Sequence, residues 1–118
     1  MTLTSALNLG QMGLTAAANT LTVGAHNVAN TLTDGFVALS TEAKDQAGGG
    51  VKVSISEGAR SLDQAAKAPG GSNVDLVHET TSRIGAAAAY RANLKTIQTA
   101  DDVSGVVVHL LSNPPEAP

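Results

Sequence analysis

His26, His78 and His109, the histidines of this 118-residue protein, are scattered along it. His78-Glu79 begins like the His-Glu-x-x-His helix of zinc hydrolases, but no second histidine follows at the spacing that helix needs. Asp101 and Asp102 are adjacent, so on a helix they diverge by about 100° and cannot act as a catalytic carboxylate pair. Gly48-Gly49-Gly50 has the composition of a phosphate cradle, yet no Lys-Ser/Thr follows and the strand-like run comes after the glycines. It reads as a turn. Ser, His and Asp occur without a nucleophile-elbow context, and cysteine is absent, which removes disulfides, thiolate metal sites and cysteine catalysis. The residues therefore point to no enzyme, no metal site and no cofactor.

Composition narrows the remaining classes. The chain is long enough for a single domain, 1–118. Much of its apolar content is alanine, and its aromatics are Phe36 and Tyr90. Large side chains stabilise by about 1.5–3 kcal/mol each when buried and alanine by far less, so the core is thin and a lone monomer marginal. The net charge of −3 is mild and interspersed, and no basic stripe offers a start for nucleic-acid binding. The first basic residue is Lys44, so a cleaved secretory signal has no positive n-region here. Asn8, Gln11, Asn19, Asn27 and several threonines also interrupt the N-terminal run well short of the ~20 apolar residues of a membrane span.

Two long helices account for most of the chain. Leu3, Leu7, Gly10, Leu14, Ala17, Leu21, Gly24 and Val28 follow at 4-3 spacing, a heptad seam in which Leu7, Leu14, Leu21 and Val28 repeat every seven residues. The spacing predicts a helix over 3–29 within an N-terminal segment 1–30, ended by Asn30 and the threonine-rich run to Gly35. Its opposite face carries Thr, Asn, Gln and Ser but no charge, which marks a second contact surface rather than an ordinary solvent face. Ser72 or Asn73 is the expected cap of a second helix over 73–111, with Asp75 in its first turn. There Ile84, Ala87, Tyr90, Leu94, Ile97, Ala100, Val103, Val107 and Leu110 recur every three or four residues. Val106-Val107-Val108 weakens the last turn, and Asn113-Pro114-Pro115 ends the segment 72–112 before a proline-rich tail, 113–118.

The middle, 31–71, is short. Val51, Val53 and Ile55 alternate with Lys52, Ser54 and Ser56 as a strand does, with residues 36–40 as the partner and the glycine run as the turn. Phe36 is placed to seat this hairpin on the helices, and Tyr90 to anchor the seam. Residues 58–71 read as a linker with a helical turn over 62–67. The fold expected is thus mainly α: long N- and C-terminal helices paired as an antiparallel, coiled-coil-like hairpin, with a small β-hairpin between them.

The two ends also carry motifs. Ala25 to Phe36 resembles the A-N-N-I/V-A-N-x-x-T-x-G-F/Y signature of the bacterial flagellar axial proteins, with Asn27, Val28, Ala29, Asn30, Thr33, Gly35 and Phe36 in place. His26 stands where that family usually carries asparagine, and Val37 where a basic residue is common. Gly50-Val51-Lys52-Val53 resembles the family's G-V-x-V element. Ser72-Asn73-Val74-Asp75-Leu76, Glu79, Tyr90-Arg91-Ala92-Asn93, Lys95 and residues 97–101 are similar to its C-terminal helix. The resemblance implies a structural subunit of the flagellar basal-body rod, with terminal helices packed around a central export channel. Its partners would be copies of itself, other rod and hook subunits, and the type III export apparatus, with neither nucleic acid nor membrane insertion. It would be exported across the inner membrane into the periplasm-spanning rod by an uncleaved signal.

The middle is too short for the β-rich outer domains of hook or distal-rod proteins, so length favours a short rod-type subunit, while the motif from Ser72 to Leu76 looks more like that of the longer hook and distal-rod members. The expected assembly interface is Leu7, Leu14, Leu21 and Val28 on the seam, Asn30, Gly35 and Phe36 at the first motif, and Leu76, Tyr90, Asn93, Leu94, Ile97 and Leu110 on the second helix. The competing reading is a small secreted helical-hairpin adaptor or effector that binds one partner helix. Gly35→Val is expected to disturb the exit from the first helix if Gly35 holds a positive φ. Rod assembly by that variant at the wild-type level would show that the turn needs no glycine.

Overall fold

A computed structural model describes residues 2–47, 49–57 and 71–113. Helix α1 spans Leu3–Ala29, strands β1 and β2 span Leu39–Asp45 and Val51–Glu57, and helix α2 spans Leu76–Ser112. The helices run antiparallel: Gly10 faces Asn93 and Ile97 while Gly24 faces Glu79 and Arg83. The two strands form an antiparallel ladder from Leu39↔Glu57 to Asp45↔Val51. The chain is mainly helical with a small hairpin between its helices, as its periodicities predict. The bounds of α1 match the seam, and those of α2 shift by a few residues.

The molecule measures 82 × 26 × 15 Å. With a helix about 10–12 Å across, its thinnest direction leaves little depth for burial. Among the described residues the buried apolar side chains are Ala17, Val23, Ala38, Ala86 and Ala100, four of them alanine. Large apolar groups lie outside instead, including Leu32, Val77, Ile84, Val103 and Leu111. No helix among the described residues is long and apolar enough to cross a membrane.

The face by which α1 meets α2 is centred on the glycine and alanine positions of the expected seam, Gly10, Ala17 and Gly24, rather than on its leucines. Gly10, Gly13 and Gly24 sit so close to α2 that a Cβ on Gly10 would lie 2.7 Å from Ile97 Cγ1, and one on Gly24 2.9 Å from Arg83 Cγ. A Cβ on Gly13 would collide with the Asn93 amide. The inner ridge is therefore Gly10, Gly13, Ala17, Gly24 and Asn27, rotated by about 50° from the leucine seam at 3.6 residues per turn. Leu7, Leu14, Leu21 and Val28 flank it, half-buried. The cause is steric: glycine and alanine let the two backbones approach, and leucines in the same place would hold them apart.

Three local expectations are corrected. β1 starts at Leu39 rather than Phe36, because residues 36–38 are engaged elsewhere: the Asn73 N–H donates to Phe36 O at 3.3 Å, and the Ala38 N–H donates to Asn73 Oδ1 at 2.7 Å. For the same reason Asn73 is not the cap of α2. Asp75 is, its Oδ1 accepting from the Val77 and His78 N–H groups at 2.9 and 3.1 Å. The Ser72 hydroxyl accepts from Val74 N–H at 3.1 Å, one turn too early to cap. Finally, the β-branched run Val106-Val107-Val108 does not shorten α2, which continues to Ser112 with the Asn113 N–H donating to His109 O at 3.0 Å. The expected linker over 58–70 and the tail over 114–118 lie outside the described residues.

Two turns need glycine. Gly35 has φ +69°, and Gly49 and Gly50 have φ +93° and +98°. In the hairpin turn the Gln46 N–H donates to Gly50 O and the Gly49 N–H to Gln46 O, both at 3.0 Å. A Cβ on Gly50 would meet the Met12 side chain at 2.5 Å, so the hairpin tip rests on α1 there.

Along the antiparallel register Leu3 falls near Val103, so the last two turns or so of α2 run past the start of α1. That overhang carries exposed Val106, Val107, Val108, Leu110 and Leu111. Gly24→Ala is expected to lower unfolding stability, since overpacking costs about 1–3 kcal/mol against a helix-propensity gain of about 1 kcal/mol. Gly105→Ala, where nothing lies within 4 Å, is expected to raise stability by up to about 1 kcal/mol. Urea unfolding followed by circular dichroism reads both; equal shifts would refute the close approach at Gly24.

Candidate functional site

Asn27 is the largest fully buried side chain described, at 0 % exposure. It sits in the last turn of α1, where Asn30 closes the helix: the Asn30 N–H donates to the His26 and Asn27 carbonyls, and its side-chain Nδ2 donates to His26 O at 2.9 Å. With the helix stopped there, the chain turns at Gly35 and returns past Asn27. The Asn27 amide then pairs with the backbone of Leu39 as a strand would: Nδ2 donates to Leu39 O and Oδ1 accepts from Leu39 N–H, both at 2.8 Å. The second Nδ2 proton goes to Glu79 Oε1, also at 2.8 Å.

Glu79 lies in the first turn of α2 and is 6 % exposed. A buried carboxylate is costly unless it is hydrogen-bonded, and here Asn27 supplies the bond. Gly24 makes room for it: a Cβ there would come within 3.2 Å of Glu79 Oε2. Asn73 completes the junction from the other side through its bonds to Phe36 and Ala38. No buried side-chain nitrogen or oxygen among the described residues lacks a partner.

The two sequence motifs are therefore one site. Asn27 comes from the first, Asn73 and Glu79 from the second, and the bonds between them join α1, the start of β1 and α2. Phe36 stacks obliquely on His26, with ring centroids 5.5 Å apart at 59°. Its contact is thus with the end of α1, beside the hairpin it was expected to seat.

Chemically the junction is a fastener. Its amide protons are committed to Leu39 O and to the Glu79 carboxylate. Among the described residues no group of three His, Asp or Glu side chains is placed to hold a metal ion. A groove of about 420 Å³ beside the hairpin is lined mostly by small and apolar residues, including Ala17, Thr41, Val53 and Ala86.

The expected interface residues divide sharply. Asn93 and Ile97 are spent inside the chain, against Gly13 and Gly10. Asn30 works as a helix stop and Gly35 as a turn. Leu7, Leu14, Leu21 and Val28 are half-buried on α1. Leu76, Tyr90, Leu94 and Leu110 are exposed by 38–56 %, so Tyr90 is no core anchor. Asn27, Asn73 and Glu79 were not among the expected site residues, although the motifs contain all three.

Residues 70–109 match the family model for the C-terminal region of the flagellar basal body rod FlgEFG proteins. The C-terminal segment is similar to that of flagellar rod and hook proteins. The match takes in α2 almost to its end together with Asn73 and the Asp75 cap. It supports membership of the flagellar rod and hook family, whose role is structural. No curated protein matches the chain.

Asn27→Asp is expected to destabilise strongly. It sets a second carboxylate against Glu79 and Leu39 O, with about 1–3 kcal/mol lost for each buried group left unpaired. Chemical denaturation reads the loss. A midpoint within experimental error of wild type would show that the network contributes nothing.

Proposed function

We propose that this chain is a short structural subunit of the flagellar basal-body rod that polymerises through its terminal helices. The observation that carries the reading is the mismatch between what the chain buries and what it exposes. Among the described residues its buried apolar side chains are four alanines and a valine, while Leu76, Val77, Ile84, Leu94, Val103, Leu110 and Leu111 stand 40–78 % exposed along α2. Solvent-facing helix surfaces ordinarily carry charge, and apolar surface of this extent marks an interaction site.

The proposed interface is the part of the expected set that intrachain contacts leave open: Leu76, Tyr90, Leu94 and Leu110 on α2, with Leu7, Leu14, Leu21 and Val28 along the flank of α1. Copies of the chain and other rod or hook subunits would cover these faces. Such a subunit reaches the rod through the flagellar type III export apparatus, by an uncleaved N-terminal signal, and takes its place in the periplasm-spanning segment.

Leu110→Asp separates assembly from folding. Leu110 is 56 % exposed and lies on the overhang of α2, so the substitution is expected to change unfolding stability by no more than about 0.5 kcal/mol. It is expected to abolish filament or rod formation by burying an unpaired charge between subunits. Sedimentation and electron microscopy at high protein concentration read the result. Polymers of wild-type yield from the variant would refute this interface. A discrete helical dimer at micromolar concentration, with strong amide protection across α1, would favour the adaptor reading instead.

A further inference from the structure

We infer that Asn27 makes the seating of the β-hairpin and the register of α2 against α1 a single equilibrium. The argument starts from the amide itself. A side-chain amide has one acceptor end and one donor end, and a carboxylate oxygen can only accept. Glu79 Oε1, 2.8 Å from Nδ2, therefore selects the orientation in which Nδ2 faces α2. In that orientation, and in no other, Oδ1 meets the Leu39 N–H while the remaining Nδ2 proton meets Leu39 O. Turned by half a revolution, the amide would set donor against donor and acceptor against acceptor at Leu39.

A slip of α2 by one turn would carry Glu79 away by about 5.4 Å and leave the second Nδ2 proton of Asn27 without its acceptor. The two bonds at Leu39 would then be held by a buried amide with an unpaired proton, and the Asn73 bonds to Phe36 and Ala38, made from the segment just before α2, would be pulled by the same slip. Asn27 is fully buried, so water offers no substitute partner. The remaining ties of the hairpin to α1 include the Thr20–Thr41 hydroxyl contact at 3.4 Å and the packing of Gly50 on Met12. Coupling of this kind is reciprocal, so anything that grips the hairpin favours the paired register of the helices by the same factor. The inference stands on contacts within one chain and holds whether or not the chain polymerises.

Amide hydrogen exchange of the purified full chain, followed by NMR, tests it at one position. Glu79→Leu removes the acceptor and is expected to speed exchange of the Leu39 amide roughly tenfold, a hydrogen bond's worth of protection. In an Asn27→Ala background the same substitution is expected to change Leu39 exchange no further. Glu79→Gln keeps a carbonyl acceptor and is expected to hold Leu39 near its wild-type rate, which guards against a mere folding defect in Glu79→Leu. The inference is overturned by an unprotected Leu39 amide in the wild type, or by no change in Glu79→Leu. Equal acceleration in both backgrounds, or loss of protection in Glu79→Gln as large as in Glu79→Leu, overturns it as well.

Discussion

One buried side-chain amide holds the architecture together. Asn27 is closed off from water, so each of its polar atoms must find a partner in the protein. Those partners are the backbone of Leu39 and the carboxylate of Glu79, from two different elements. The requirement fixes where α1 must stop, where the returning chain must pass and which turn of α2 must arrive. Asn73 repeats the device on the opposite side of the returning chain by engaging Phe36 and Ala38. A molecule with so little apolar core is specified at this point by hydrogen-bond geometry more than by burial.

Packing along the helices follows a compatible rule. Gly10, Gly13, Ala17 and Gly24 form a low ridge that lets α2 come close, and Ile97, Asn93 and Arg83 project into the space the missing side chains leave. Close approach places the larger residues on the flanks and outer faces. The leucines of α1 are half-buried and the valines and leucines near the end of α2 are exposed.

Much of this was legible in the sequence. The 4-3 spacing from Leu3 to Val28 marks α1 to the residue, and the alternation from Val51 to Ile55 marks β2, because each signal is local and periodic. Gly35 and the glycine run announce turns because positive φ is costly for other residues. The rotation of the α1 face was less visible: weighting by side-chain size favours Leu7, Leu14 and Leu21, whereas the contact is made by the residues that have least to weigh. The start of β1 and the cap of α2 escaped for another reason. Both depend on Asn73 being taken by a segment 35 residues away, and local capping rules allow Ser72, Asn73 and Asp75 alike.

The whole of α1 contains no aspartate, glutamate, lysine or arginine. Its pairing with any neighbour, inside the chain or outside it, can therefore owe little to ion pairs that salt would screen. Discrimination between correct and incorrect neighbours has to come from relief, from where glycines leave hollows and leucines leave ridges. Such a steric code is indifferent to ionic strength. A single added methyl group in a hollow is what it would not forgive.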